Sequence, residues 1–172
     1  MGNCSSHNRI KYGLVEYHME NEDYLQLSML IASNYFDYEE KIPMEAHPSS
    51  AYCSYLHLAA KYNSRTFVRL WLKHGYPLNI TDYRGWTALH WAVYYNSTHV
   101  FLPLIMGGIN AQTKIKNITK SKNKRFLNKT AIQMSVILKR VKMFNLYTKF
   151  KKIHSQFNIP IYIPDETTYN IE

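Results

Sequence analysis

The chain has 172 residues, 46 % of them hydrophobic, with only six Gly and six Pro; that suffices for one buried core and excludes a loop-rich or disordered protein. Two cysteines exclude a disulfide framework and point to a reducing compartment, and no apolar run approaches the ~18 residues of a membrane span. The formal charge of +9 is polarised: eight of the twelve acids fall within 16–45, while thirteen of the twenty-one bases fall within 114–152, where there is no acid.

At the N-terminus, Met1-Gly-Asn-Cys-Ser-Ser6 matches the N-myristoylation pattern, with Gly2 exposed after Met removal and Ser6 at the preferred position. One acyl chain holds a membrane only marginally, so Cys4 is the candidate second anchor, by palmitoylation. Residues 1–9 are therefore read as a flexible, acylatable segment. An intracellular, cytoplasmic location is expected, membrane-associated if Gly2 is acylated. Without an apolar secretory leader, the sequons at Asn79, Asn96, Asn117 and Asn128 are read as chance.

Residues 14–31 read as a helix pair with Leu25, Leu27, Leu30 and Ile31 apolar, aligned to 56–73 at an offset of 42. The next two units are clearer. Ser54-Tyr-Leu-His-Leu-Ala-Ala60 and Thr87-Ala-Leu-His-Trp-Ala-Val93 place His57 and His90 at a spacing of 33. Gly75 and Gly108 repeat the same interval, where a helix stops and the backbone turns to positive φ. Thr87 is a helix cap, Leu89, Ala92 and Val93 share one face, and Val100, Phe101, Leu104 and Ile105 form the stripe of a second helix. Such a hairpin closes no core alone, so neighbours must stack. Thr130-Ala-Ile-Gln-Met-Ser-Val136 is a third copy, 43 residues after Thr87, its second helix over 142–152 with Phe144, Leu146, Tyr147 and Phe150 inward. The extra residues fall in 109–128, within a basic connection.

Asp82-Tyr-Arg-Gly-Trp-Thr-Ala-Leu-His90, repeated in register, resembles the ankyrin repeat, whose signature opens with Asp, two free positions, Gly, one free position, then Thr-Pro-Leu-His and a free position before Ala. The resemblance implies an all-α ankyrin-repeat solenoid of about four helix-turn-helix repeats with a long basic finger insertion. It spans 10–155, with specific motifs only over 49–110, and leaves 156–172 as an extended tail. Tyr55, Ala88 and Ala131 replace the family's Pro, Tyr52 replaces the turn Gly and Gln133 replaces His.

His57 and His90 match positions that are structural in ankyrin repeats, bridging Thr and neighbouring backbone. No metal-ligand spacing, phosphate loop or nucleophile elbow accompanies them, so no enzyme activity, cofactor or metal is expected. The resemblance implies a non-catalytic protein-binding module that uses its finger tips and concave face. Carried over by position, the free sites are Thr81, Tyr83, Arg84, Trp86, Tyr94 and Tyr95, with Ser50, Ala51, Cys53, Lys61 and Tyr62 in the preceding repeat. Tyr, Trp and Arg are the types enriched at interface hot spots. The partner expected is another protein, held by a monomer. Nucleic acid is not expected, because the cluster Lys114, Lys116, Lys120, Lys122, Lys124, Arg125 and Lys129 comes with no nucleic-acid-binding fold. Narrower readings are a signalling inhibitor resembling the I-kappa-B-like proteins of insect-associated viruses and a ubiquitin-ligase adaptor resembling SOCS-box ankyrin proteins.

Overall fold

A computed structural model describes residues 6–33, 35, 37–44, 51–116 and 124–157, with side chains described only between 11 and 156. Helices α1 (Ser6–Glu20) and α2 (Tyr24–Ala32) form the first hairpin, α3 (Tyr55–Lys61) and α4 (Arg65–Lys73) the second. The third is α5 (Ala88–Tyr95) with α6 (Thr98–Met106), and the fourth α7 (Ala131–Ile137) with α8 (Val141–Phe157). Between the two helices of each hairpin one residue turns left-handed: Glu22, Asn63, Asn96 and Lys139, at φ 54°, 57°, 61° and 56°. These turns fix the structural register. The first hairpin is offset from the second by 41 residues rather than the 42 expected, which puts Leu14 opposite Tyr55.

Each hairpin packs on its neighbours in the stack. Inner helix α5 lies between α3 and α7, and outer helix α6 between α4 and α8. A continuous core runs through the stack, from Val15, Met19, Leu27 and Ile31 through Phe67, Trp71, Leu89 and Phe101 to Met134 and Met143. The inner-helix positions Ala59, Ala60 and Ala92 are fully buried, where small side chains let the helices approach closely. In α8, Met143 is the fully buried residue and Leu146, Tyr147 and Phe150 are half-buried, whereas Phe144, expected inward, faces solvent. Leu25 of the first hairpin's apolar set is likewise exposed.

Hydrogen bonds sew each unit to the next. The Glu22 carboxylate accepts from Arg65 N and Thr66 N at 2.7 and 2.9 Å, and Asn63 Oδ1 accepts from His99 N at 2.9 Å. The first two turns thus satisfy open amides at the start of the following outer helix. Asn79 Oδ1 accepts from Asn110 N, and Tyr83 N donates to Tyr52 O, which joins successive fingers.

Three fingers connect the hairpins. In the first, strands β1 (Ile42–Pro43) and β2 (Tyr52–Cys53) pair antiparallel, so a side chain at Tyr52 is accommodated without a left-handed turn. The second is a tight turn over 82–86 with Gly85 at φ 74°, closed by a bridge between Thr81 and Thr87. In the third, Asn128 at φ 56° takes the place of Gly85, and Lys114 bridges Thr130. Ile115 N donates to Lys129 O and Asn128 N to Ile115 O, and Ile115 and Phe126, on either side of 117–123, are both fully buried.

Candidate functional site

The second finger is built around one buried carboxylate. Asp82 Oδ1 accepts from Arg84 N and Trp86 N at 2.8 and 2.9 Å, which folds the turn. Its Oδ2 accepts from Trp91 Nε1 at 3.0 Å and from Arg84 Nε and Nη2 at 3.0 and 2.8 Å. The Arg84 guanidinium also lies over the rings of Trp86, Tyr83 and Trp91 at 4.2, 5.2 and 5.5 Å. Ion pair and rings together hold Arg84 against the finger, so it is a fixed rim rather than a reaching arm.

Two histidines clamp helix starts to fingers. His57 Nδ1 accepts from Ser54 N at 3.1 Å and lies 2.8 Å from Ser54 Oγ, so Nε2 carries the proton and donates to Trp86 O at 2.8 Å, across to the next repeat. His90 repeats this on Thr87, at 3.2 Å from N and 2.9 Å from Oγ1, and turns Nε2 toward the Lys129 carbonyl without closing an ordinary hydrogen bond. Burial holds His57 below its usual pKa and pulls His90 down to about 4. Both rings are neutral structural parts, as the motif implied. In the last copy Thr130 N donates to Gln133 Oε1 and Gln133 N to Thr130 Oγ1, a capping box that keeps the local half of the arrangement.

The row of inner helices presents the remaining candidates. Tyr94 sits edge-on to Trp86 and to Tyr95, with centroids 5.4 and 5.2 Å apart, and Tyr95 leans on Trp91 at 5.6 Å. Trp91 in turn meets His57 at 5.4 Å. Lys61 Nζ donates to Tyr62 Oη at 3.1 Å, and Tyr62 Oη donates to Glu16 Oε2 at 3.0 Å. Burial opposes the charge on Lys61, but its contacts with Tyr62 and Glu16 outweigh that and raise its pKa. The finger tip (Thr81, Tyr83, Arg84) and the helix row (Lys61, Tyr62, Tyr94, Tyr95) meet through the buried indoles of Trp86 and Trp91.

Trp86 itself leaves the set of surface candidates. It is 1 % exposed, covered by Arg84 and by Phe126, whose ring stands edge-on at 5.8 Å. In the preceding repeat Ala51 and Cys53 are also buried, and burial pushes the Cys53 thiol up to about 12. Ser50, Gly2 and Cys4 lie outside the described residues. Glu16 and Trp91, which orient the row, carried no signal of their own in the sequence beyond Trp91's place in a helix; Asp82 was legible only as the motif's first letter.

A family model described as ankyrin repeats (3 copies) matches residues 17–117. The chain belongs to the ankyrin-repeat family. Beyond that match, α7 and α8 continue the ankyrin stack with a fourth hairpin. Among curated proteins, the chain is similar to calmodulin-binding transcription activator 6 of Arabidopsis thaliana, 31 % identical over 109 residues, which is 62 % of this chain and 12 % of the relative. It is also similar to the calmodulin-binding transcription activator CBT of Oryza sativa subsp. japonica, 27 % identical over 88 residues, 49 % of this chain and 10 % of the relative. The chain thus spans about a tenth of these relatives' length. Ankyrin repeats imply a protein partner.

Proposed function

We propose that this ankyrin domain is a non-catalytic module that binds or sequesters a signalling protein along the surface joining its second finger to its inner-helix row. The observation that carries the reading is the packing of Tyr94 and Tyr95 edge-on to one another and onto Trp86 and Trp91. Partly open tyrosines already held by buried indoles lose little rotamer freedom when a partner covers them, and their hydroxyls stay available for hydrogen bonds. Lys61 and Tyr62 extend the row toward α1, while Thr81, Tyr83 and Arg84 border it at the finger. The calmodulin binding in the relatives' names belongs to proteins of which this chain matches about a tenth, and it is not carried over.

Acylation at Gly2, with Cys4 as second anchor, would add a membrane tether; the supporting observation is the N-terminal motif, and intact mass of protein made in eukaryotic cells tests it. The binding surface is tested by affinity purification from the native cell, comparing the wild-type chain with a Lys61→Ala/Tyr62→Ala/Tyr94→Ala/Tyr95→Ala variant. Each of these positions is partly open, so the fold should survive. Partner recovery should fall at least about tenfold, the scale of one lost hot spot. Equal recovery would overturn the surface. An NF-kappa-B-type protein or an elongin in the eluate would select one of the two narrower readings.

A further inference from the structure

Both ends of the stack expose positions that the inner repeats bury. Matching the hairpins through their left-handed turn residues sets Leu14, Tyr17 and Met29 against Tyr55, Leu58 and Leu70. The first three are 42 %, 61 % and 57 % exposed; their counterparts are 0 %, 5 % and 3 %. At the other end Val136 and Phe144, 58 % and 38 % exposed, correspond to Val93 and Phe101, both 0 %. The direction is fixed by Leu72 of α4, whose side chain fills the space a Cβ at Gly107 of the following repeat would take and which lies one helical turn beyond Val68, the α4 counterpart of Phe101 and Phe144. Phe144 therefore faces where a further repeat would sit, and Leu14, Tyr17 and Met29 face where a preceding one would.

The two ends carry opposite charge. The first repeat and its finger expose Glu20, Asp37 and Glu39. The last exposes Lys142, Lys149, Lys151 and Lys152, and the sequence has no acid at all over 83–164. We propose that copies of this chain associate head to tail, the Leu14–Tyr17–Met29 face of one covering the Val136–Phe144 face of the next, so that the repeat stack continues across the junction. A second copy is the occupant these faces fit, since it offers the same hairpin geometry, an apolar patch of matching position and the complementary charge. Front-to-front or back-to-back pairing would set like charges together. The contact is heterologous, so it leaves a free face at each end and can add further copies, where the sequence alone suggested a monomer.

Sedimentation velocity on the full chain tests this with two variants altered at exposed positions. Tyr17→Lys/Met29→Lys closes the front and Val136→Ser/Phe144→Ser closes the back. Wild-type mass should rise with concentration and fall back as salt screens the end charges. Each variant alone should stay monomeric, with an unchanged far-UV spectrum as the check on folding. Their equimolar mixture should form a dimer, at twice the monomer mass, and nothing larger, because only one intact front and one intact back remain per pair. A wild type that stays monomeric at low salt and high concentration, a single variant that still dimerises, or a mixture that does not associate would each overturn the proposal.

Discussion

Replacing Asp82 by alanine should be the most damaging single polar change in the stack. The carboxylate is fully buried and accepts five hydrogen bonds, from Arg84 N, Nε and Nη2, Trp86 N and Trp91 Nε1. Alanine strands the buried amide of Trp86 and the indole N–H of Trp91, at about 1–3 kcal/mol each. It also leaves Arg84 without its counter-ion, a loss of about 3–5 kcal/mol for a buried pair. Arg84 is 15 % exposed and can swing partly into water, so the lower end applies. A loss of roughly 4–6 kcal/mol is comparable to the whole stability of an ordinary domain, about 5–15 kcal/mol. Asp82→Asn keeps the shape but turns an amide N–H₂ toward donors, and should lose roughly half as much. Arg84→Met leaves Asp82 its bonds to Trp86 and Trp91 but strips a fully buried carboxylate of its counter-ion, at about 3–5 kcal/mol, so its loss should fall between those of the other two. Urea unfolding followed by far-UV circular dichroism measures all three. An Asp82→Ala loss below about 1 kcal/mol, or an Asn variant as stable as wild type, would refute this reading of the finger.

Acid should weaken the stack well above the carboxylate range. With His90 at about 4 in the fold and 6.5 as its ordinary value, the unfolded chain holds more protons between those limits, so stability present above pH 6.5 is lost as the pH falls toward 4. His90 alone accounts for roughly 3 kcal/mol, and His57, shifted the same way, adds to it; a urea midpoint unchanged between pH 7.5 and 5 would contradict this. Cys53, buried and with its thiol pushed up to about 12, should resist alkylation at pH 8 until denaturant is added, as read by intact mass; rapid labelling of the folded chain at Cys53 would show the finger base to be open. Excising residues 117–123 should change stability by less than about 1 kcal/mol, because the ladder between Ile115 and Lys129 closes the finger without them. Phe126→Ala, which uncovers Trp86, should by contrast cost about 3–5 kcal/mol in the same urea assay.

What the sequence disclosed follows the range of the interactions involved. The middle hairpins were legible because their caps, His57 with Ser54 and His90 with Thr87, are made within three residues, and local chemistry leaves a local motif. The first hairpin slipped by one residue because its marker is a left-handed Glu22, where Asn63 and Asn96 advertise the same turn openly. Phe144, expected inward, matches the buried Phe101 in register but is exposed, because among the described residues no hairpin follows α8 on that flank. Trp86 matched a surface position by motif and is buried because Phe126, forty residues further on, folds back over it. The Glu40 carboxylate, which accepts from Lys11, Tyr12 and Tyr55, is equally non-local; burial opposes its charge, but those three hydrogen bonds hold its pKa below the usual value.

Amide hydrogen exchange on the chain with and without its captured protein partner tests the central claim most directly. Protection on binding should concentrate at Lys61 and Tyr62, at Thr81 to Arg84 and at Tyr94 and Tyr95, with the outer helices α4 and α6 unchanged. Protection confined to α4 and α6, with the tyrosine row exchanging as freely as before, would contradict it.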